Sequence, residues 1–438
     1  MEVELLAIGA GPSNLGLAVA LEELAPELAE NSLLIDRNPT IAWQQGMLMP
    51  WATSQVSFLK DLVTQRDPRS RFSFLNHLYE TGRLDDFVNM STFTPYRVEF
   101  TEYLRWVATS LARVRIELGR ECVGIEPQRD PAGAVTSWLT TLADGTSISS
   151  RYLVYGGSRE PNIPPVLADL PRTRIVHSTE YRQRVAEFSG ELPYRVAVVG
   201  SSQSAAEMFR ALREDLPDSD VAWLMRSIGL SSDQSSKFTN ELYYPAFVDD
   251  FYDARPAARA QILAEMHRTN YSVVTPAMLE HLYADLYLDR FNGRNERRLV
   301  TMVDITGARD TGDELVLELT DRRTGAVTEL HRDVVFLGTG FDVRMPRLVR
   351  ELAGSLELDR IDVSREYRLD LGPQGTPGPA ACYLQGVNEQ THGISDTLLS
   401  VLAQRAEEIC RDIIAHRERI PAVAGSVDAV SGKAGSTL

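Results

Sequence analysis

A short apolar run, Val3-Glu4-Leu5-Leu6-Ala7-Ile8, leads at once into Gly9-Ala10-Gly11-Pro12-Ser13-Asn14 and then into an apolar-periodic stretch reaching Leu28. This order of strand, glycine turn and helix constrains the fold more than any other feature. The glycines let the chain turn tightly and bring backbone N–H groups against a pyrophosphate, at the positive end of the following helix dipole. A second short strand, Ser32-Leu33-Leu34-Ile35, ends in Asp36-Arg37. That completes a βαβ unit, and a carboxylate at its tip can accept hydrogen bonds from both ribose hydroxyls of an adenosine that lacks a 2′-phosphate. Gly9, Gly11, Pro12, Ser13, Asp36 and Arg37 are therefore candidate contacts of FAD or NAD. The third glycine of the usual GxGxxG pattern is replaced by Asn14, and the plain alternatives are a turn without ligand and an Asp36 that only caps a turn.

The same grammar returns in mid-chain, with a strand over 194–199, the turn Gly200-Ser201-Ser202-Gln203-Ser204 and a helix over 205–216. Two βαβ starts imply two nucleotide sites. The next strand, 221–225, runs into Arg226-Ser227 with no acid at its tip. A guanidinium fork and a hydroxyl are what a 2′-phosphate needs, so this turn and tip point to NADPH rather than NADH, the alternative being a solvated surface arginine. Stretches 151–157 and 333–340 both read as apolar strands ending in glycines and as returns to the first sheet, which makes the second module an insertion in the first. The expected fold is α/β. It has two Rossmann-like dinucleotide-binding domains in a glutathione-reductase-like layout and a small, mostly helical substrate-binding region. The expected boundaries are 1–165 and 336–420 for a discontinuous FAD domain and 166–335 for the NADPH domain, with a substrate segment at about 231–300. Residues 421–438, rich in Ala, Gly and Ser, read as a disordered tail.

Composition removes several classes. A formal net charge of -16 and a pI near 5.0, without a basic cluster, argue against nucleic acid as a partner. The first ten residues lack a basic n-region and an apolar run long enough for a signal peptide or a membrane span, and a cytoplasmic protein is expected. Fold alone does not choose between flavin reductases and flavin monooxygenases. Disulfide reductases of this layout need a redox pair of cysteines, whereas Cys122, Cys382 and Cys410 fit no CxxC or zinc spacing.

Three longer runs carry a resemblance: Ser57-Phe58-Leu59-Lys60-Asp61-Leu62-Val63, Thr269-Asn270-Tyr271-Ser272-Val273-Val274, and the stretch from Asn388-Glu389-Gln390-Thr391-His392-Gly393 through Ile394-Ser395-Asp396 to Thr397-Leu398-Leu399-Ser400. They resemble the signatures of the microbial L-ornithine and L-lysine N-hydroxylases, flavin-dependent monooxygenases, over nearly the whole chain. The resemblance implies that NADPH reduces FAD, that dioxygen forms a flavin C4a-hydroperoxide, and that the neutral side-chain amine of an amino acid is hydroxylated. Such a reaction stands early in hydroxamate siderophore or related natural-product assembly. The resemblance further implies a homo-oligomer, often a tetramer.

By motif, Lys60 matches the lysine that pairs with the substrate α-carboxylate, Asn240 an asparagine at the amino-acid end, and Asn270 the one holding the reactive amine. Gln55 is expected near the flavin or substrate, and Ser400 at the substrate. Trp43 and Gln45 match a flavin-packing loop that is equally well plain core, while Val123, Thr339, Gly340, His392 and Leu398 are expected at the flavin. A helix N-terminus is expected near Asp396, and His392 is given a structural or flavin-contacting role and no proton transfer. A neutral amide at Asn270 suits the chemistry, because an amine with a reference pKa of about 10.4 must lose its proton to be a nucleophile, and a carboxylate there would hold it charged. Asn240 and the proline at 245 resemble the ornithine branch, and Lys60 argues against decarboxylated diamines. Lysine remains the alternative, since one methylene is worth only about 1 to 3 kcal/mol in a pocket. From other classes, an NADPH oxidase or flavin reductase would release peroxide alone, and a non-catalytic nucleotide-binding subunit would bind no FAD.

Overall fold

A computed structural model describes residues 1–233, 236–372 and 378–419. Its strands in chain order are β1 (Glu2–Ile8), β2 (Ser32–Asp36), β3 (Arg115–Leu118), β4 (Cys122–Arg129), β5 (Val135–Leu142), β6 (Ser147–Tyr155), β7 (Ile175–His177), β8 (Arg195–Val199), β9 (Asp220–Met225), β10 (Arg297–Thr301), β11 (Val303–Asp310), β12 (Leu315–Asp321), β13 (Val327–Arg332), β14 (Val334–Leu337) and β15 (Ala381–Leu384).

The first sheet has the order β3-β2-β1-β6-β5-β4, and β15 also pairs with β6. Its centre, β3-β2-β1-β6 with β15, is parallel, and β4 and β5 add an antiparallel edge. Strands buried on both faces read as continuous apolar runs, which is why β1 and β6 were legible in sequence. One face is covered by the helix Pro12–Leu24 lying against the C-terminal helix Leu402–Arg419. Their approach is close: a Cβ on Gly16 would meet the Leu402 side chain. The helix Arg347–Ser355 covers the other face.

The second sheet has the order β10-β9-β8-β14-β7, all parallel, and β11-β12-β13 form a separate antiparallel sheet. This corrects one expectation. Stretch 333–340 is not a return to the first sheet: its strand, β14, pairs with β7 and β8 in the second. The return is made by β15. A parallel strand that closes the inserted domain and one that reopens the first have the same apolar run and glycine end, so the sequence of the strand does not reveal its partner. The expected 421–438 tail lies outside the described residues.

The chain leaves β6 and β14 side by side. An isolated bridge joins Pro161 to Phe341, Asn162 N donates to Gly340 O at 2.9 Å, and the Thr339 hydroxyl donates to Asn162 O. The two crossovers between the modules therefore form one paired connection, with Thr339 and Gly340 in it. No helix among the described residues is long and apolar enough to cross a membrane.

Candidate active site

At the first glycine turn, Gly9 has φ +99, a left-handed conformation that glycine adopts freely, and an added Cβ would press the Gly156 carbonyl at 3.0 Å. Gly11 faces open space, with nothing within 4 Å of a Cβ, and Pro12 opens the helix. Backbone donors are thus left uncovered at a helix N-terminus, a cradle suited to a pyrophosphate. Asp36 is aimed at this turn: one carboxylate oxygen accepts from Ala10 N at 2.8 Å, and the other accepts from the amide and side chain of Asn38 at 2.8 and 2.9 Å. Arg37 is exposed beside it. Arg120 N donates to Asp36 O at 2.7 Å, which brings the turn before Val123 to the same tip.

Asn14 has a structural reason to replace glycine. It is 0% exposed; its Nδ2 donates to Ile8 O at 2.9 Å and Gly9 O at 2.8 Å, and its Oδ1 accepts from Gln385 Nε2 at 2.8 Å. A Cβ on Gly156 would collide with this amide at 2.6 Å. The small residue required for close packing has moved to the neighbouring strand end, and the asparagine ties the turn to the segment after β15. A second support escaped sequence reading. Arg405, buried in the C-terminal helix, donates to Asp396 at 2.8 Å and to the Ser13 hydroxyl at 2.8 Å, while Asp396 also accepts from Asn388 N at 2.7 Å.

At the second turn Gly200 has φ +126 and lies against the Gly338 carbonyl, to which the Ser202 hydroxyl donates at 3.3 Å. Among the described residues the Ser201 and Ser204 hydroxyls bond no protein group, and the exposed Arg226 guanidinium has no carboxylate partner. Ser227 donates to Gly229 O at 2.9 Å. Gln203 is different: its side chain is taken up by Glu207 and by Thr275 N, each at 2.9 Å.

Most of the remaining residues lie where the 231–300 segment meets the tail motif. Lys60 Nζ donates to Ser400 Oγ at 2.8 Å and lies 5.1 Å above the Tyr244 ring. It is half-buried, without a carboxylate partner among the described residues, and burial pulls its pKa below the ordinary lysine value. Tyr243, next to Tyr244, hydrogen-bonds Thr269, next to Asn270, so the 240–245 turn and the end of the helix Pro256–Asn270 close on each other. The amides of Asn240, exposed, and Asn270, half-buried, bond no protein group among the described residues. Tyr271 donates to Glu389 at 3.1 Å, and burial pushes its phenol up to about 12. Leu398 and Ile394 pack with Tyr243, Met266 and Tyr271. Gln55 is exposed five residues before Lys60.

Three expectations change here. His392 is 0% exposed, stacked 4.0 Å from the Tyr367 ring, and its nitrogens face Thr391 Oγ1 and Arg365 O. It supports the tail motif from behind and offers no open atom to a flavin. Ser400, 1% exposed, has its hydroxyl taken up by Lys60 and is closed off from open space. Asp396 lies in a 3-10 turn, Ile394–Thr397, its carboxylate bonded to Arg405, and the helix starts only at Leu402, after a second 3-10 turn, Leu399–Val401. Trp43 packs 5.2 Å from Phe100, and Gln45 starts a short turn lodged against 178–180.

The profile of the L-lysine 6-monooxygenase/L-ornithine 5-monooxygenase family matches residues 2–343. This chain belongs to that family. An L-ornithine N(5)-oxygenase from Arthrobotrys oligospora is 36% identical over 94% of this chain and 88% of its own length. The ornithine hydroxylase PvdA from Pseudomonas aeruginosa superposes with a TM-score of 0.87, at 34% identity, over 95% of this chain and 100% of that one. The Kutzneria ornithine N-hydroxylase KtzI, solved with reduced FAD, NADP⁺ and L-ornithine, gives 0.86 at 34% identity, again over 95% and 100%. As a family member, the chain is a flavin-dependent N-hydroxylating monooxygenase.

Proposed function

We propose that this chain hydroxylates the side-chain amine of L-ornithine, with FAD held at the first glycine turn, NADPH at the second and dioxygen as co-substrate. Bound flavin supplies reductive activation of dioxygen, so that one oxygen atom enters the amine and the other leaves as water. The observation that carries the reading is Lys60: a half-buried cation without a carboxylate partner among the described residues, oriented by Ser400 and by the face of Tyr244, whose neighbour Tyr243 bonds Thr269 next to Asn270. Such a cation suits an α-carboxylate. At the other end of the substrate, the Asn270 carbonyl accepts from the neutral amine without holding it charged, and Asn240 and Gln55 line the amino-acid end. Asp36 takes the flavin ribose, and Arg226 with Ser227 takes the 2′-phosphate of NADPH.

The flavin domain on this reading is discontinuous and the nicotinamide domain is inserted in it. The product is a hydroxylamine for hydroxamate siderophore or related assembly. A cytoplasmic site agrees with three free, buried cysteines, whose thiols burial holds above their ordinary pKa. The exposed apolar face of the helix Pro276–Phe291, with Tyr283, Tyr287, Leu288 and Phe291, supports a homo-oligomer, and the number of subunits, four, rests on the resemblance alone. The test is NADPH-dependent hydroxylamine formation with added FAD on ornithine, lysine and putrescine side by side. Ornithine is expected to win. A preference for lysine would move the chain to the other branch, and peroxide alone with all three would replace the reading with an oxidase.

A further inference from the structure

The two modules are joined by more than their paired crossovers. Met47, Met49 and Ala52 belong by sequence to the first module, yet they are buried in the core of the second. At the base of this spur a Cβ on Gly46 would collide with the backbone of Ser178 and Thr179, so glycine lets the two backbones close. Trp51, on the same spur, lies 4.0 Å under the Arg210 guanidinium of the second module.

Behind the spur sits a buried fork. Arg97, at the start of the helix Arg97–Ser110, donates to both carboxylate oxygens of Glu207 at 2.7 and 2.6 Å and to Met47 O at 3.2 Å. Arg97 is 5% exposed and Glu207 2%. Glu207 stands one turn into the helix Gln203–Asp215, whose N-terminus is the second glycine turn. Gln203 Nε2 donates to the same carboxylate at 2.9 Å, and Gln203 Oε1 accepts Thr275 N at 2.9 Å. Thr275 ends the segment that begins with Asn270 and is anchored through Tyr271 to Glu389.

A buried ion pair is weak evidence for stability, because desolvation cancels much of its attraction, but a planar two-point fork fixes orientation as few other contacts do. Here the fork joins the flavin module to the helix that would carry the nicotinamide dinucleotide. We propose that Arg97, Glu207 and Gln203 are positioning residues that pin the nicotinamide module at one angle against the flavin module and tie that angle to the substrate segment carrying Asn270. The proposal rests on the two-nucleotide reading above. Hydride passage from NADPH to FAD, two electrons and one proton leaving NADP⁺, requires reacting atoms about 3 to 3.5 Å apart, so a loosened angle costs rate before it costs binding.

The test uses the full chain carrying Glu207→Gln, Arg97→Met with Glu207→Met, and Gln203→Met. The first readout is amide exchange in the full-length protein as purified, without added nicotinamide. Glu207→Gln is expected to speed exchange at least tenfold in the peptides spanning 45–52 and 271–276, leaving the sheet strands unchanged. Gln203→Met should speed only 271–276. The second readout is anaerobic bleaching of bound flavin by NADPH without amino acid. The limiting rate should fall at least tenfold in Glu207→Gln while half-saturating NADPH moves less than threefold. The double methionine variant tests a merely structural role: with its melting temperature within a few degrees of the parent, it should still bleach slowly. Unchanged exchange at 271–276 in Gln203→Met would overturn the relay. A Glu207→Gln protein that bleaches within twofold of the parent would overturn the positioning role. Neither readout needs ornithine, and exchange needs no added nucleotide, so failure of the substrate or cofactor reading stays distinguishable from failure of this one.

Discussion

Removing the Lys60 ammonium gives the sharpest test of the substrate reading, because its effect should depend on whether the substrate carries a carboxylate. The cation is already positioned, with Ser400 Oγ at 2.8 Å and the Tyr244 face at 5.1 Å. Little reorganisation is needed to receive an anion. A hydrogen bond to a charged partner is worth about 1.5 to 3 kcal/mol, or roughly 10- to 150-fold in an equilibrium constant, and a half-buried site stands inside that range. Lys60→Ala should therefore lower kcat/KM for ornithine by that factor, almost entirely through KM. Putrescine, which lacks the carboxylate, should lose less than threefold. The assay is hydroxylamine formation on both diamines by parent and variant, with anaerobic flavin bleaching as the control that the nucleotide sites are intact. Equal losses on the two substrates would mean that Lys60 shapes the pocket rather than pairs with the carboxylate. No loss on either would remove it from the site.

Burial lowers the Lys60 pKa, so ornithine KM should climb with alkaline pH below the ordinary lysine range in the parent and stay flatter in Lys60→Arg, whose guanidinium keeps its charge; parallel profiles would contradict this. Arg226→Ala should narrow the NADPH over NADH preference by about tenfold, a single exposed charge-assisted contact, and an unaltered ratio would clear Arg226 of the 2′-phosphate. Asn270→Asp should depress hydroxylation at neutral pH, with partial recovery as pH rises and unchanged flavin bleaching, because a carboxylate raises the pKa of the amine it faces. Asn14→Gly restores the usual glycine pattern yet strands Ile8 O, Gly9 O and Gln385, so it should destabilise by about 1 to 3 kcal/mol and weaken FAD retention, read by thermal melts and bound flavin. Burial pushes His177 and His392 down to about 4, so they fold neutral, whereas the unfolded chain takes up protons near 6.5; stability should fall by roughly 3 kcal/mol per histidine as pH drops from about 6.5 to 4, and a melting temperature flat over that window would refute it.

How much of this was legible in sequence follows from how local each feature is. Both glycine turns and both strand tips, Asp36 and Arg226, were readable because a tight turn, a helix N-terminus and the residue ending a strand are all set within a few positions. The spacing of Lys60 and Asn270 was readable only through resemblance. The orientation of Lys60 depends on Ser400, 340 positions away, and no periodicity connects them. The placement of β14 failed for the same reason. Its apolar run specifies a buried parallel strand, but the neighbour that decides which sheet it enters includes β7, a strand of three residues too short to leave a pattern.

Asn14 carries the lesson further. In sequence it is a departure from a glycine pattern and weakens the case for a nucleotide. In the structure it is a buried amide joining the turn to Gln385, 371 residues on, and the missing glycine reappears as Gly156. The requirement was for close approach between helix and strand, and either side of the contact can meet it. The same logic holds between the modules, where Arg97 and Glu207, 110 residues apart, carry no local sign of their pairing and together are buried at 5% and 2% exposure. A charged residue on an amphipathic helix is solvated far more often than buried, so only the partner's arrival distinguishes the two cases. The chemistry of this protein is therefore written locally, in turns and tips, whereas the angle at which its two nucleotide modules face each other is written in long-range polar pairs that only the folded chain assembles.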